Sequence, residues 1–429
     1  MIENIKNEIL KKANWYDIYE TDVTSTPVSF KNSRIHSLNE KQNSGYGIRV
    51  NHKGRTGFSY TNNWESIEDT FIRALELSRF GDEENFLLPD KKLSVNIEPY
   101  EESVFDIHDE IEKCESSIGA IKSKFPKANV DCGVNNSMGR VRILNSRGID
   151  SSYRDSHYSV SLSASYILEG GVKIDVWESK ISMKSTPMDD LEREILRKIE
   201  LASNIRELKS GKVKVLLTPK AFTSILRIVA SGLNAKSVWK RISPFAGELG
   251  KKKFNKLFSL IDDPLLEESP FSYPFDDEGV ASRKKHLINC GIIENFVTDL
   301  KHAEKLGIEP MGNGSRGYSS LPSPSFSNII IGNGKDKYDD IIKNIDSGIL
   351  VEQFIGLGQS NTLTGDFSAN LDLAFKIENG ELTGRVKDCM ISDNLFKLLE
   401  GDIILSSERE QKGSVLAPYI LFPRVNFTG

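Results

Sequence analysis

The chain has 429 residues, of which 38% are hydrophobic and 27% are charged, and its formal net charge is −5 at pH 7. This length exceeds what one hydrophobic core normally serves, so two domains are expected. The 56 basic and 61 acidic residues are intermixed and form no basic stripe, which argues against nucleic acid as a partner.

The sequence also lacks the signals of a membrane or secreted protein. Its apolar runs are far shorter than the roughly 18 residues that a membrane helix needs. The first residues carry acids and polar groups where a signal peptide has an apolar core. The four cysteines are scattered without a pattern, which fits a reducing compartment. We therefore expect a cytoplasmic protein without a membrane segment.

The first half of the chain alternates between helical and strand patterns. Apolar residues at helical spacing predict an opening helix; they are Ile2, Ile5, Ile9 and Leu10. Short runs of strand-forming residues follow at 16–20, 27–31, 45–50 and 56–60. Asn62 then marks the start of a helix, with Glu65 as its capping-box partner.

A longer helix is predicted at residues 104–121, and several strands are predicted at residues 130–166. Cys114 falls on the apolar face of that helix. Cys132 alternates with polar residues along one of the strands. Both cysteines are therefore predicted to be core residues and not reactive ones.

Residues 191–205 predict a helix that links the two halves of the chain. Its charged face, which includes Lys198, is interpreted as a solvated surface. The domain boundary is placed just after this helix, near Ser210. This divides the chain into an N-terminal domain at 1–210 and a C-terminal domain at 211–429.

The second half begins with a strand at 213–217 and a helix that starts at Thr218-Pro219. Further along, Asn379-Gly380 is the strongest hairpin signal in the chain, because both residues tolerate the positive φ of a type I′ turn. The strand-rich remainder predicts a curved, mostly antiparallel sheet with the helix packed against it. The fold class is therefore α+β, with a sheet-and-helix domain preceding this C-terminal domain.

Two polar segments are candidates for contact with a peptide. Asn313, Ser315 and Arg316 lie in a glycine-rich run, and the guanidinium of Arg316 suits a peptide C-terminus or an acidic side chain. The alternative is a loop whose arginine pairs internally. Residues 319–327 are kept extended by prolines and can offer a strand edge to a peptide, although a plain connecting loop fits as well.

Thr364, Asp366 and Ser368 belong to a third candidate segment. Asp366 can act as a catalytic acid or base, or it can hold a turn by accepting backbone N–H bonds.

The best remaining group of metal-ligand residues is His286, Cys290 and His302. His286 and Cys290 fall on one face of a predicted strand, so a ligand pair is geometrically possible. The alternative is a half-buried strand with a buried thiol.

Two blocks of the second half resemble the TldD/PmbA family of cytoplasmic metallopeptidases, also described as modulators of DNA gyrase. They are residues 274–317, PFDDEGVASRKKHLINCGIIENFVTDLKHAEKLGIEPMGNGSRG, and residues 361–399, NTLTGDFSANLDLAFKIENGELTGRVKDCMISDNLFKLL. Catalytic members carry H-E-x-x-x-H on an upstream helix, where this chain has Leu226, Arg227 and Ser231. Leu226 cannot ligate zinc, Ser231 is a poor ligand, and Arg227 would repel a dication and cannot act as a base. The chain therefore resembles a TldE/PmbA-type subunit, which lacks the zinc motif.

This resemblance implies a subunit with no catalytic residue and no metal of its own. It implies a heterodimer with a TldD-type subunit that carries the zinc, enclosing a cleft that admits unfolded polypeptides or precursor peptides. Residues 236–253 are unusually basic and lack the glycine richness expected after the helix, so the loop that lines this groove is expected to differ.

Two alternatives remain open. The first is a homodimeric peptide-binding protein that has lost proteolysis. The second is a self-contained hydrolase that uses Asp366, or the group formed by His286, Cys290 and His302.

Overall fold

A seven-stranded antiparallel sheet is built from the first half of the chain. The computed structural model describes residues 12–90, 95, 97–102, 105–168 and 171–429. The predicted opening helix with Ile2, Ile5, Ile9 and Leu10 lies outside these residues. The strands of this sheet are β1 (Trp15–Lys31), β2 (Arg34–Leu38), β3 (Lys41–His52), β4 (Arg55–Thr61), β5 (Asn129–Asn145), β6 (Asp150–Ile167) and β7 (Lys173–Ser182).

The strand order is β4-β3-β1-β5-β6-β7, with β2 folded back on β1. The helices of this half are α1 (Ile67–Leu77), α2 (Ile107–Lys124) and α3 (Asp189–Ala202). A 3₁₀ turn leads into α1 and is capped by Asn63, whose side chain accepts the N–H of Glu65 at 3.0 Å. The predicted cap at Asn62 is therefore wrong by one residue. Asp106 caps α2 by accepting the N–H of His108 at 2.8 Å.

One face of the first sheet packs against α2 and α3. Cys114 from α2 and Cys132 from β5 meet in this core, where both are buried, so the prediction that they are core residues is confirmed. The other end of the sheet, formed by β3 and β4, packs against α1. The core of the first half also includes Leu350, Leu373 and Phe375 from the second half, so it continues across the boundary predicted near residue 210.

The second half forms an eleven-stranded sheet and a small two-stranded sheet. The strands of the larger sheet are β8 (Gly211–Leu217), β9 (Leu260–Asp262), β10 (Lys285–Asn289), β11 (Ile292–Ile293), β14 (Ile329–Ile331), β15 (Ser347–Ile355), β16 (Asp366–Glu378), β17 (Glu381–Val386), β18 (Met390–Asn394), β19 (Ile404–Lys412) and β20 (Val415–Thr428). The small sheet pairs β12 (Gly314–Ser315) with β13 (Ser323–Pro324). The helices are α4 (Pro219–Gly232), α5 (Ala235–Trp239), α6 (Leu300–Leu306), α7 (Tyr338–Lys343) and α8 (Leu395–Glu400).

The larger sheet closes on itself. Its path runs β11-β10-β9-β14-β20-β18-β16-β15-β8, and β20 pairs with β8 as well. The strands β20, β18, β16, β15 and β8 therefore form a ring, and only β8–β15 and β14–β20 are parallel pairs. α4 packs against β15, β19 and β20 of this barrel. The predicted α+β fold class, with a curved and mostly antiparallel C-terminal sheet, is confirmed.

The hairpin predicted at Asn379-Gly380 is also confirmed. Glu378 pairs with Glu381 across the turn between β16 and β17. Asn379 has φ +50° and Gly380 has φ +81°, which are the positive values that a type I′ turn requires. In the part of the chain that the structure describes, no helix is both long enough and apolar enough to cross a membrane.

A loop of the second half lies across the glycine-rich start of β3. A Cβ atom on Gly45 would stand 2.6 Å from Cε2 of Tyr318, and one on Gly47 would stand 2.5 Å from the carbonyl oxygen of Tyr318. Real Cβ atoms do not tolerate such distances, so the two glycines are what lets the halves approach this closely. The ring of Tyr318 also meets Tyr60 edge-on at 6.0 Å.

Candidate functional site

Helix α4 carries Leu226, Arg227 and Ser231, the three residues that stand where the zinc motif H-E-x-x-x-H would have its histidines and glutamate. The helix begins after Thr218, whose hydroxyl accepts the N–H of Ala221 at 3.2 Å. Leu226 is buried in the barrel core with 1% of its surface exposed. Arg227 is exposed and donates from Nη2 to the carbonyl of Leu357. The Ser231 hydroxyl donates to the carbonyl of Ile228 at 3.0 Å.

These three side chains do not fit a zinc ion. Leu226 has no lone pair to offer, and the guanidinium of Arg227 has only donors and a permanent positive charge. The hydroxyl of Ser231 donates its hydrogen bond to the helix backbone, and serine is not a usual zinc ligand. At these positions the side chains of α4 therefore pack into the core, bond the neighbouring loop or bond the backbone of the helix itself.

The group of His286, Cys290 and His302 is not assembled into a metal site. His302 is buried in α6, and its Nδ1 lies 2.6 Å from Oδ1 of Asp299. Cys290 is exposed in a turn, and His286 is half-buried on β10. Among the residues that the structure describes, no three His, Cys, Asp or Glu side chains are placed to hold a metal together.

Buried charges join the two halves at the loop that contains Arg316. Arg49 on β3 donates from Nη1 to Oε1 of Glu278 at 2.7 Å and from Nε to Oδ2 of Asp17 at 3.0 Å. Arg316 donates from Nη1 to Oδ1 of Asp17 at 3.2 Å. Burial alone would raise the pKa of Asp17, but the guanidinium groups of Arg316 and Arg49 outweigh it and hold that pKa below its usual range. The four side chains are all buried.

The first candidate peptide segment thus lies in this junction. Arg316 is directed inward to Asp17, with its guanidinium 5.1 Å from the centre of the Tyr19 ring. Asn313 donates from Nδ2 to Oδ2 of Asp262 at 2.8 Å. Ser315 alone of the three is exposed. Arg316 therefore pairs internally, which is the alternative that the sequence left open. A role of these three residues in peptide binding stays a prediction.

The candidate residues Thr364, Asp366 and Ser368 lie on an exposed turn and the strand that follows it. Asp366 accepts from the Thr364 hydroxyl at 2.6 Å and from Nδ2 of Asn394 at 2.8 Å. These hydrogen bonds lower the pKa of Asp366, so it stays an ionised acceptor that holds the turn. Ser368 stands opposite Ser392 on the exposed face of β16.

This turn lies beside the C-terminal end of α4. A Cβ atom on Gly365 would stand 2.8 Å from Cε2 of Phe396. The ring of Phe396 meets that of Phe245 at 5.2 Å, and Phe245 in turn covers Gly232 at the end of α4. The third candidate segment is therefore next to the helix, whereas the first is in the junction.

A second buried network, which the sequence did not predict, surrounds the first turn of α4. Lys198 donates to Oε1 of Glu178 at 2.7 Å and to Oε2 of Glu352 at 2.8 Å. Lys220 of α4 lies 3.2 Å from the same Glu178 oxygen, and its Nζ is 3.6 Å from the centre of the Trp177 ring. The interpretation of Lys198 as part of a solvated face is wrong, since only 5% of that residue is exposed. Its partners come from two different sheets, which no local pattern signals.

Burial lowers the pKa of Lys220 to about 8, although the nearby Glu178 carboxylate opposes this shift. Burial raises the pKa of Glu178, but Lys198 and Lys220 outweigh it and bring that pKa to about 2. Glu178 is therefore ionised at neutral pH and holds both ammonium groups. The network ties α3, α4 and the two sheets together.

A cleft of about 340 Å³ opens between the two halves, beyond the C-terminal end of α4. Arg49, Asp82 and Glu84 line it from the first half. The second half contributes α5, the start of α6 and residues 321–323, which belong to the proline-containing segment predicted to be extended. Asn234, which caps α5, donates from Nδ2 to the carbonyl of Pro324 at 3.0 Å and so ties that segment to the helix pair.

Comparison with known proteins adds two family matches. Residues 210–429 match the model of the PmbA/TldA metallopeptidase C-terminal domain, and residues 16–78 match PmbA/TldA metallopeptidase domain 1. An uncharacterised protein of Methanocaldococcus jannaschii is 28% identical over 384 residues, covering 88% of each chain.

Two curated relatives come from Buchnera aphidicola. A metalloprotease PmbA homologue is 22% identical and covers 100% of this chain and 97% of its own length. A metalloprotease TldD homologue is 31% identical over 222 residues, covering 51% of this chain and 46% of its own length. The crystal structure of TldE from Thermococcus kodakarensis superposes over 100% of both chains, with a TM-score of 0.88 and 24% identity, which shows a shared fold.

Proposed function

Because the chain belongs to the TldD/PmbA family of metallopeptidases, we propose that it is a non-catalytic subunit of the TldE/PmbA type. In this proposal it pairs with a TldD-type subunit that holds the zinc. The pair acts in the cytoplasm on unfolded polypeptides or precursor peptides, and this chain shapes the cleft through which they reach the partner's zinc.

One observation carries the proposal. The positions of the family's H-E-x-x-x-H motif hold Leu226, Arg227 and Ser231, which do not fit a zinc ion. A peptidase zinc needs ligands with lone pairs and a carboxylate that takes the proton of the bound water. Leu226 is instead part of the barrel core, and Arg227 bonds the loop at Leu357.

Two further observations support a TldE/PmbA-type subunit over a TldD-type one. The similarity to the PmbA homologue spans the whole chain, whereas the similarity to the TldD homologue covers about half of it. The fold is shared along the full length with a protein named TldE.

The test is co-purification of this chain with a TldD-type partner from the same genome, followed by measurement of zinc content and of casein hydrolysis. We expect zinc and peptidase activity in the complex and neither in this chain alone. Arg227→Ala and Ser231→Ala in this chain should leave the rate of the complex within about twofold, because neither side chain takes part in the chemistry. Replacing the glutamate of the partner's H-E-x-x-x-H motif with glutamine should abolish casein hydrolysis by the complex.

Other outcomes separate the alternatives. If the chain forms a homodimer, binds peptides and never associates with a TldD-type protein, the homodimeric peptide-binding protein is the better description. If the chain alone hydrolyses casein and Asp366→Asn or His302→Gln removes that activity, it is a self-contained hydrolase and the proposal is wrong.

A further inference from the structure

Two exposed lysines at the mouth of the cleft between the two halves make no ion pair with the described residues. Lys236 and Lys240 both lie on or next to α5, are exposed, and line the cleft. In the described part of the chain, neither ammonium group has a carboxylate within 4 Å. The other cations of the cleft are paired, as Lys301 lies 2.7 Å from Asp82 and 2.9 Å from Glu84.

The deeper charged side chains of the cleft each have a partner inside the protein for at least one of their polar atoms. Arg49 is bonded to Glu278 at 2.7 Å, and Asp299 is bonded to the ring of His302 at 2.6 Å. Among the described residues that line the cleft, the two lysines are therefore the cations without a carboxylate partner, although the lining as a whole has as many carboxylates as cations. Exposed ammonium groups without a partner attract carboxylates, and this attraction is strongest at low ionic strength.

An aromatic side chain lines the same opening as the two lysines. Trp239 is 40% exposed, with its ring edge-on to His302 at 5.8 Å and the Nζ of Lys305 at 4.7 Å from its centre. Leu321, on the facing segment of the cleft, is 49% exposed. A tryptophan and a leucine that stay this exposed offer contact area to an apolar side chain.

A buried polar atom of the cleft also has no partner. Oδ2 of Asp299 makes no hydrogen bond in the structure, although Asp299 lines the cleft and is 99% buried. A carboxylate oxygen in this situation calls for a donor such as a peptide N–H. Pro322, which also lines the cleft, has no N–H to give.

We propose that this cleft binds a peptide segment that carries a carboxylate next to an apolar side chain. Lys236 and Lys240 receive the carboxylate, and Trp239 and Leu321 receive the apolar group. This inference rests on the proposed function and adds to it a substrate class, namely acidic and apolar stretches of unfolded chains. The carboxylate comes from an Asp or Glu side chain or from a peptide C-terminus.

Three synthetic pentapeptides titrated into the full chain by calorimetry test this. The first has two glutamates flanking a leucine with both termini blocked, and the second is its glutamine counterpart. The third is the glutamine peptide with a free C-terminal carboxylate. We expect the glutamate peptide to bind about fivefold more tightly than the blocked glutamine peptide at 50 mM salt, which corresponds to about 1 kcal/mol for two exposed ion pairs. At 300 mM salt the difference should shrink.

Two double variants locate the effect. Lys236→Gln with Lys240→Gln should abolish the preference for glutamate. Lys252→Gln with Lys256→Gln removes the same amount of charge from exposed lysines outside the cleft, and this variant should keep the preference for glutamate. If the third peptide binds as tightly as the glutamate peptide, the cleft accepts a terminal carboxylate. If it binds only as tightly as the blocked glutamine peptide, the cleft recognises the carboxylate of a side chain.

Equal binding of all three peptides, no binding of any, or equal weakening by both double variants overturns the inference. Each of these results leaves the proposed function intact as long as the complex with the TldD-type partner still hydrolyses casein. A complex without peptidase activity overturns the proposed function, whichever peptide the chain prefers.

Discussion

Arg49 on a strand of the first sheet and Glu278 in the second half form a buried ion pair, with 2.7 Å between Nη1 and Oε1. The exposed fraction of these side chains is only 3% and 1%. Removing one partner of such a pair leaves a charge buried without compensation, which typically costs 3–5 kcal/mol.

The first prediction follows from this pair. Arg49→Met should lower the free energy of unfolding by about 3 kcal/mol or more, because Glu278 and Asp17 both lose their bonds to the guanidinium. Urea unfolding followed by circular dichroism measures it. Arg193→Met is the matched control, since Arg193 pairs with Asp190 at the surface and should cost less than about 1 kcal/mol. Equal losses in the two variants would contradict the prediction.

The second prediction concerns the contact between Gly45 and Tyr318. Gly45→Ala places a methyl group against the tyrosine ring and should destabilise the protein by about 1–3 kcal/mol. The double variant Gly45→Ala with Tyr318→Ala should cost less than the sum of its two single variants, because the clash is then absent. Gly119→Ala on α2 has open space around it and should stabilise by up to about 1 kcal/mol. Additive losses at Gly45 and Tyr318 would show that the two residues do not meet.

The third prediction is a dependence on pH that comes from Lys220. Its pKa is about 8 in the folded chain and 10.5 ordinarily. Between these values the unfolded chain holds a proton that the folded chain has lost, so the free energy of unfolding rises with pH. From about pH 8 to pH 9.5 this contribution amounts to about 2 kcal/mol.

Lys220→Met removes the titrating group. Denaturant unfolding across that range should show the stability of the wild type rising relative to this variant. Lys256→Met, at an exposed position, should follow the wild type. If the gap between the wild type and Lys220→Met does not change with pH, Lys220 does not titrate there.

The fourth prediction concerns thiol reactivity. Cys290 is exposed, while Cys114, Cys132 and Cys389 are buried. Burial raises the pKa of Cys389 to about 11, and the hydrogen bond to Cys114 together with burial raises that of Cys132, so their thiolates are scarce at neutral pH. A thiol reagent should therefore modify one cysteine rapidly in the native protein and all of them in denaturant. Cys290→Ser should remove the rapid phase, and its persistence would refute the assignment.

What the sequence predicted well was local. The hairpin at Asn379-Gly380 follows from the turn chemistry of two adjacent residues, and the core positions of Cys114 and Cys132 follow from periodicity. The apolar spacing of α4 likewise predicted a helix packed on the sheet.

The features that the sequence missed depend on residues far apart in the chain. The sequence predicts Lys198 to be a surface residue, but the residue is buried and one of its partners, Glu352, lies 154 positions away. The sequence predicts that Arg316 can bind the carboxylate of a peptide, but in the structure Arg316 bonds the carboxylate of Asp17, 299 positions away. The charge pattern of a single helix or loop cannot specify such pairs. The same limit applies to the cleft, whose walls come from both halves of the chain.

The closed barrel has a consequence for how the protein is made. β20 pairs with β8, β14, β18 and β19, so strands from along the second half share it as a neighbour. While the ribosome is still synthesising residues 415–428, β8 and β18 have unpaired edges, and such edges invite association with other chains. We therefore expect nascent chains stalled before β20 to need chaperone protection, and the pairing of β20 with β8 and β18 to be the step that removes these free edges.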